Sequence, residues 1–161
     1  MNTAELLNDH FRFEVSTAEN RSHIKLIGII DENADFSSLL KLKGQNISFD
    51  FKDVSSINSC GIRTWVNFMK ELTGTPIEFV ECPPLVVRQM NMVPSFLGSA
   101  VVTSVYIPYV CDECDHEQQQ KISIQDYKSG LKIAQTITCE KCSSNTMELD
   151  GNVKQYFAFV K

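Results

Sequence analysis

No apolar run in this chain approaches the length of a membrane span, so nothing in it reads as a spanning helix. Met1 to Ser16 holds no apolar stretch of the kind a secretory leader requires. Positive charge is in deficit: 20 acidic residues outweigh 15 basic ones, for a net charge of −5 at pH 7. Phosphate neutralisation dominates nucleic-acid affinity, so this balance argues against a DNA or RNA partner. There is no glycine-rich phosphate loop, no nucleophile elbow and no metalloprotease helix. His10 and His23 have no Ser, Cys or Glu partner at an informative spacing. A protein that is not an enzyme is therefore expected. Low-complexity tracts are missing too, and the one internal echo is a pair of cysteine motifs.

Those motifs are Cys111-Asp-Glu-Cys114 and Cys139-Glu-Lys-Cys142. Each sets two thiolates on one tight turn. Two such turns supply four soft ligands in tetrahedral array, which suits Zn2+. The 24 residues between the pairs exceed the roughly 15–20 usual for ribbons, and a longer hairpin absorbs the difference. Iron in a rubredoxin-like site fits the same sulfur set. A redox pair is disfavoured because redox folds place one such motif at a helix start. Disulfides require an oxidising compartment, and six cysteines without a secretory leader point instead to a reducing cytoplasm. His116 is a spare donor nearby, with its simplest role at the surface. The last third reads as a zinc ribbon with Cys111, Cys114, Cys139 and Cys142 as ligands.

Hydrophobic residues make up 43% of the 161 and charged ones 22%, the profile of a globular protein of one domain or two small ones. Charge is spread evenly: 12 acidic against 9 basic residues over 1–110, and 8 against 6 over 111–161. A divalent ion on four thiolates adds about two negative charges to the second part. Along 1–110, strand-like and helix-like segments alternate. Phe11–Val15, Ile24–Ile30, Ile47–Phe51 and Ile77–Val80 read as strands. A short helix is expected over Phe36–Leu42, stopped at Gly44. Ile62, Trp65, Val66, Met69 and Leu72 recur at helical spacing after Gly61. Pro83-Pro84 opens another helix through Met90 and Met92. Val101–Val110 is a final strand. This β-β-α-β-α-β-α-β order predicts a sheet layered with helices. Over 111–161 the pattern is strand and turn, with strands at Lys121–Gln125, Leu131–Thr138 and Lys154–Val160 and hairpin turns at Ser129-Gly130 and Asp150-Gly-Asn152. So small a unit buries little apolar surface, and a metal staple is physically expected.

Asn58-Ser59-Cys60-Gly61 leaves a strand and enters the best helix. Unpaired N–H groups and a positive dipole at such a point favour a capping Ser or Asn, and also welcome a phosphate. Ser59 is read both as the N-cap and as a candidate phosphorylation site. Cys60 and Cys82 read as small buried groups, and Trp65 as core. Asp31, Glu32 and Asp35 read as an acidic capping turn rather than a Mg2+ cluster.

Leu26-Ile-Gly-Ile-Ile-Asp31, Phe49-Asp-Phe-Lys-Asp-Val54, Ile57-Asn-Ser-Cys-Gly-Ile62 and Val80-Glu-Cys-Pro-Pro-Leu-Val-Val-Arg-Gln-Met90 together resemble a STAS domain. That module is shared by anti-sigma-factor antagonists and the cytoplasmic tails of sulfate transporters. The resemblance covers about two-thirds of the chain. It implies a mixed β-sheet layered with helices over residues 1–110; the small all-β zinc ribbon expected over 111–161 follows from the cysteine pairs instead. It also implies a bacterial regulatory module that binds a protein partner. In the antagonist branch a kinase partner phosphorylates the first serine of the loop, which corresponds to Ser59. Asn58, Cys60 and Gly61 are its loop neighbours and Asp31 is the nearby acidic position. Here Asn58 stands where the family usually has an acidic residue, and Cys60 where it has a second serine. The resemblance also admits a scaffold subunit of a larger assembly, such as a STAS-containing lipid-transport complex. A zinc-ribbon nucleic-acid binder is the third class, disfavoured by charge.

Overall fold

Alternating burial on neighbouring strands builds the first sheet. The computed structural model describes residues 2–6 and 10–161; Met1 and residues 7–9 of the expected first unit lie outside the described residues. Six strands stand in chain order: β1 (Asn2–Leu6), β2 (Phe11–Ala18), β3 (Arg21–Ile30), β4 (Asn46–Ile57), β5 (Ile77–Val80) and β6 (Val101–Val102). β1, β2 and β3 pair antiparallel, and β3 through β6 pair parallel. β1 was not among the expected strands.

Phe11, Phe13, Ile24, Leu26, Phe49, Phe51 and Phe79 are all buried, because period-2 alternation sends them to one face. Between them on β3 and β4 lie polar residues: Lys25 pairs with Asp53 at 2.9 Å, and the His23 ring lies 3.6 Å from the Asp50 carboxylate. Helix α1 (Ser59–Glu71) covers the aromatic face. Its Trp65 ring sits 5.1 Å from Phe49, 5.5 Å from Phe51 and 5.6 Å from Phe96 in mostly edge-on or tilted contacts. The indole N–H donates to Phe96 O at 3.0 Å, so the buried ring leaves no polar atom unpaired. Phe96 belongs to the single turn α3 (Pro94–Leu97), which follows α2 (Pro84–Met92). The helix expected over Phe36–Leu42 is a 3-10 segment, Ser37–Leu42, with Leu39 and Leu42 buried.

The expected Val101–Val110 strand divides between two sheets. Val101–Val102 closes the first, and β7 (Ser104–Cys111) opens the second, whose order is β8 (Glu117–Ser123), β7, β10 (Met147–Leu149), β9 (Thr136–Ile137). Thr103 is the pivot, donating its N–H to Phe79 O and accepting from Ile124 N–H, each at 2.9 Å. β7 then runs through residue 110 without a break. The second sheet is antiparallel throughout, with two added helical turns, α4 (Ile124–Lys128) and α5 (Val153–Tyr156). Lys154–Val160 is therefore not a strand, because Asn152 caps it into α5 by accepting from Gln155 N–H at 3.1 Å. Of Leu131–Thr138 only Thr136–Ile137 pairs. Ser129-Gly130 ends α4 rather than a hairpin. Side chains of both sheets, from Phe79 to Ile107, Tyr109 and Met147, share one buried cluster.

Candidate metal centre and helix-entry loop

β7 delivers Cys111 at its end, and a matched turn delivers Cys139. Both turns follow one backbone plan. Asp115 N–H donates to Cys111 O at 3.0 Å and Cys111 N–H to His116 O at 2.9 Å; Ser143 N–H donates to Cys139 O at 2.9 Å and Cys139 N–H to Ser144 O at 2.8 Å. In each turn the residue after the second cysteine takes a left-handed conformation, Asp115 at φ 60° and Ser143 at φ 62°. The repetition in structure mirrors the repetition in sequence.

The four sulfur atoms lie within 4.8 Å of one another. Cys111 Sγ is 3.6 Å from Cys142 Sγ, and Cys114 Sγ is 3.7 Å from Cys139 Sγ. A disulfide would need about 2.05 Å. Four thiolates at about 2.3 Å from a central ion stand about 3.8 Å apart at tetrahedral corners, so the spacing fits an ion. Cys111 and Cys139 are buried, Cys114 is half-buried and Cys142 is exposed. Burial pushes the Cys111 thiol up, but N–H groups of Cys114 and Glu113 and the neighbouring thiols outweigh it and bring it to about 7. Among the described residues these four cysteines form the metal-competent group, and His116 is not part of it.

At the other functional candidate, Asn58 caps α1, and Ser59 is the first residue inside the helix. The expected capping serine is thus displaced by one position. Asn58 Oδ1 accepts from Gly61 N–H at 2.7 Å, while its Nδ2 donates to Glu32 Oε2. That hydrogen bond holds the Glu32 carboxyl below its ordinary range. Gly61 is buried hard against β3, where a Cβ would stand 2.0 Å from Ile30 O. Asp31 is 8% exposed and accepts from Asn33 N–H at 2.9 Å; Asp35 accepts from Ser37 N–H at 2.9 Å. Asp31 and Asp35 therefore spend their carboxylates on backbone, and Glu32 its own on Asn58. Asn58, Ser59 and Cys60 are exposed, so the buried role expected of Cys60 is overturned: it lies on the outward side of the first turn. Cys82 is fully buried, and burial pushes its thiol well up. The signal for Asn58 was its own residue type, since Asn and Ser cap equally well.

The chain is thus an α/β protein with a four-cysteine cluster able to hold a metal ion. No family model and no curated protein matches it. Among solved structures, the anti-sigma factor antagonist SpoIIAA in its unphosphorylated form aligns over 56% of this chain and 86% of its own, at 16% identity and a TM-score of 0.44.

Proposed function

We propose that this protein is a bacterial, cytoplasmic, non-catalytic regulatory module with a STAS-like domain over residues 1–110. It binds a protein partner through the loop Asn58–Gly61 and the start of α1. Residues 111–161 form a zinc ribbon that stabilises it or adds a second docking surface. The observation that carries the reading is the division of labour at the loop. Asn58 supplies the cap, so the exposed Ser59 hydroxyl is not needed for it. A phosphate there would bring about −1.5 to −2 charges to the surface, next to helix N–H groups that favour an anion. A partner seated over this loop would sense that charge directly. Zn2+ is the ion favoured by four sulfur donors at tetrahedral spacing.

The test is incubation with serine kinases encoded beside the gene, then mass mapping and partner capture. Phosphate confined to Ser59, with partner binding lost on Ser59→Asp and kept on Ser59→Ala, is the expected result. A Ser59→Asp protein that still captures every partner sinks the switch and leaves a scaffold subunit as the reading.

A further inference from the structure

β5 does not end cleanly at Val80. Glu81 adopts a left-handed backbone, φ 57°, which swings the chain sideways and lets Cys82 pair in parallel with Val105 of β7. Cys82 N–H donates to Ser104 O at 3.1 Å, and Tyr106 N–H donates to Cys82 O at 2.8 Å. Glu81 N–H donates to Ser104 Oγ at 2.8 Å. The Glu81 carboxylate then accepts from the Tyr106 hydroxyl on β7 and from Lys121 Nζ on β8. One short stretch of the first sheet is thereby written into the second.

Another tie lies at the end of α2. Asn91 Nδ2 donates to Tyr156 O at 2.9 Å and to Gln155 O at 3.3 Å, both on α5. Tyr156 in turn donates its hydroxyl to Tyr106 O. Asn91 Oδ1 is buried with no hydrogen-bond partner among the described residues. The contact is held although it carries an unsatisfied acceptor. Both ties converge on Tyr106, and the strand that carries Tyr106 ends at Cys111.

We infer that a metal ion at the four cysteines holds α2 and the end of β5 in place as well as its own sheet. The inference rests on the metal reading above and deepens it. An ion that binds only the ordered site stabilises whatever unit must be ordered to form that site. Opening β7 removes the partners of Cys82, strips Glu81 of the Tyr106 donor and takes away the Tyr106 carbonyl that anchors Tyr156, the residue whose own carbonyl Asn91 holds. The cooperative unit closed by the ion therefore extends across the sheet boundary.

The experiment uses the full chain, loaded with Zn2+, assayed for metal content, and then stripped with a chelator. Hydrogen exchange is read on β7, on residues 82–92 and on β3 as an internal reference. Stripping is expected to cost about tenfold or more in protection at β7 and at residues 82–92 together, with β3 retained. Opening of β7 with residues 82–92 still protected overturns the inference and leaves the metal reading intact. Equal loss at β3 overturns it as well, because the effect is then global. A chain that takes up no metal overturns both readings.

Discussion

The side-chain amide of Asn58 donates to the Glu32 carboxylate at 2.9 Å, tying the loop before α1 to the turn after β3. The same side chain accepts from Gly61 N–H, so one residue sets both the start of the helix and its distance from the acidic turn. Asn58 N–H also donates to Ile30 O at 3.2 Å. Ser59 is presented from a fixed platform.

Asn58→Ala should therefore cost about 1 kcal/mol, the usual value of a lost N-cap. Asn58→Asp keeps the acceptor for Gly61 and loses the donor to Glu32, and should be the milder change. Urea denaturation of the three proteins ranks them. An alanine variant as stable as the parent contradicts the capping assignment.

Two glycines of the resemblance motifs are demanded by space. A Cβ at Gly61 would lie 2.0 Å from Ile30 O, and one at Gly28, which has φ 100°, would lie 2.0 Å from His10 O. Backbone atoms cannot retreat as a flexible side chain does. Gly61→Ala and Gly28→Ala should each lose more than about 2 kcal/mol. Gly44→Ala meets no neighbour within 4 Å at φ 92° and should lose only about 1 kcal/mol. Chemical denaturation of all three checks the order.

Cys139 is 1% exposed and sits 3.7 Å from Cys114 Sγ. Cys139→Ser should abolish stoichiometric metal uptake and the ordering of residues 111–161, since site formation and folding are linked. Metal analysis with far-UV circular dichroism reads both. A variant that keeps one ion per chain removes Cys139 from the ligand set.

Glu81 and Tyr106 give the stability curve two ends. Burial alone would raise Glu81, but hydrogen bonds from Lys121 and Tyr106 hold it below its ordinary 4.5. Its contribution is present above pH 4.5 and is lost as pH falls through the lower folded value. Tyr106 is pushed up to about 12, first by burial and then by the Glu81 carboxylate it donates to. Its contribution is complete below pH 10 and is lost as pH rises toward 12. Glu81→Gln should flatten the acid limb relative to the parent, and Tyr106→Phe the alkaline limb. Limbs that stay parallel to the parent's would remove both assignments.

Helix α1 is legible in the sequence because Trp65, Met69 and Leu72 keep one periodicity, although Phe68, buried on the same side, is as much a part of that face. The metal-competent cluster is legible from spacing alone, since ligand type and turn geometry are local. The second sheet is harder. Leu131–Thr138 alternates like a strand, yet the Tyr109 hydroxyl donates to Ala134 O at 2.7 Å and satisfies that carbonyl outside any ladder. Lys154–Val160 alternates too, but Tyr156 is drawn to β7, and Phe157 stacks on Tyr127 at 4.0 Å. Both outcomes depend on residues far away in the chain, which no local period encodes. The switch of sheets at Thr103 escapes detection for the same reason. Glu81, whose left-handed backbone redirects β5, carries no glycine to advertise the bend.

The uneven shelter of the four thiols has a kinetic corollary. Cys111 and Cys139 are enclosed, Cys114 is half-buried and Cys142 faces solvent, so a loaded centre is most open on the Cys142 side. A small chelator would reach the ion along the Cys142 side and withdraw it by ligand exchange, with no prior unravelling of the strands behind. Bulk placed over that exposed side, with the thiol itself left free to ligate, would slow exchange far more than stiffening the sheet.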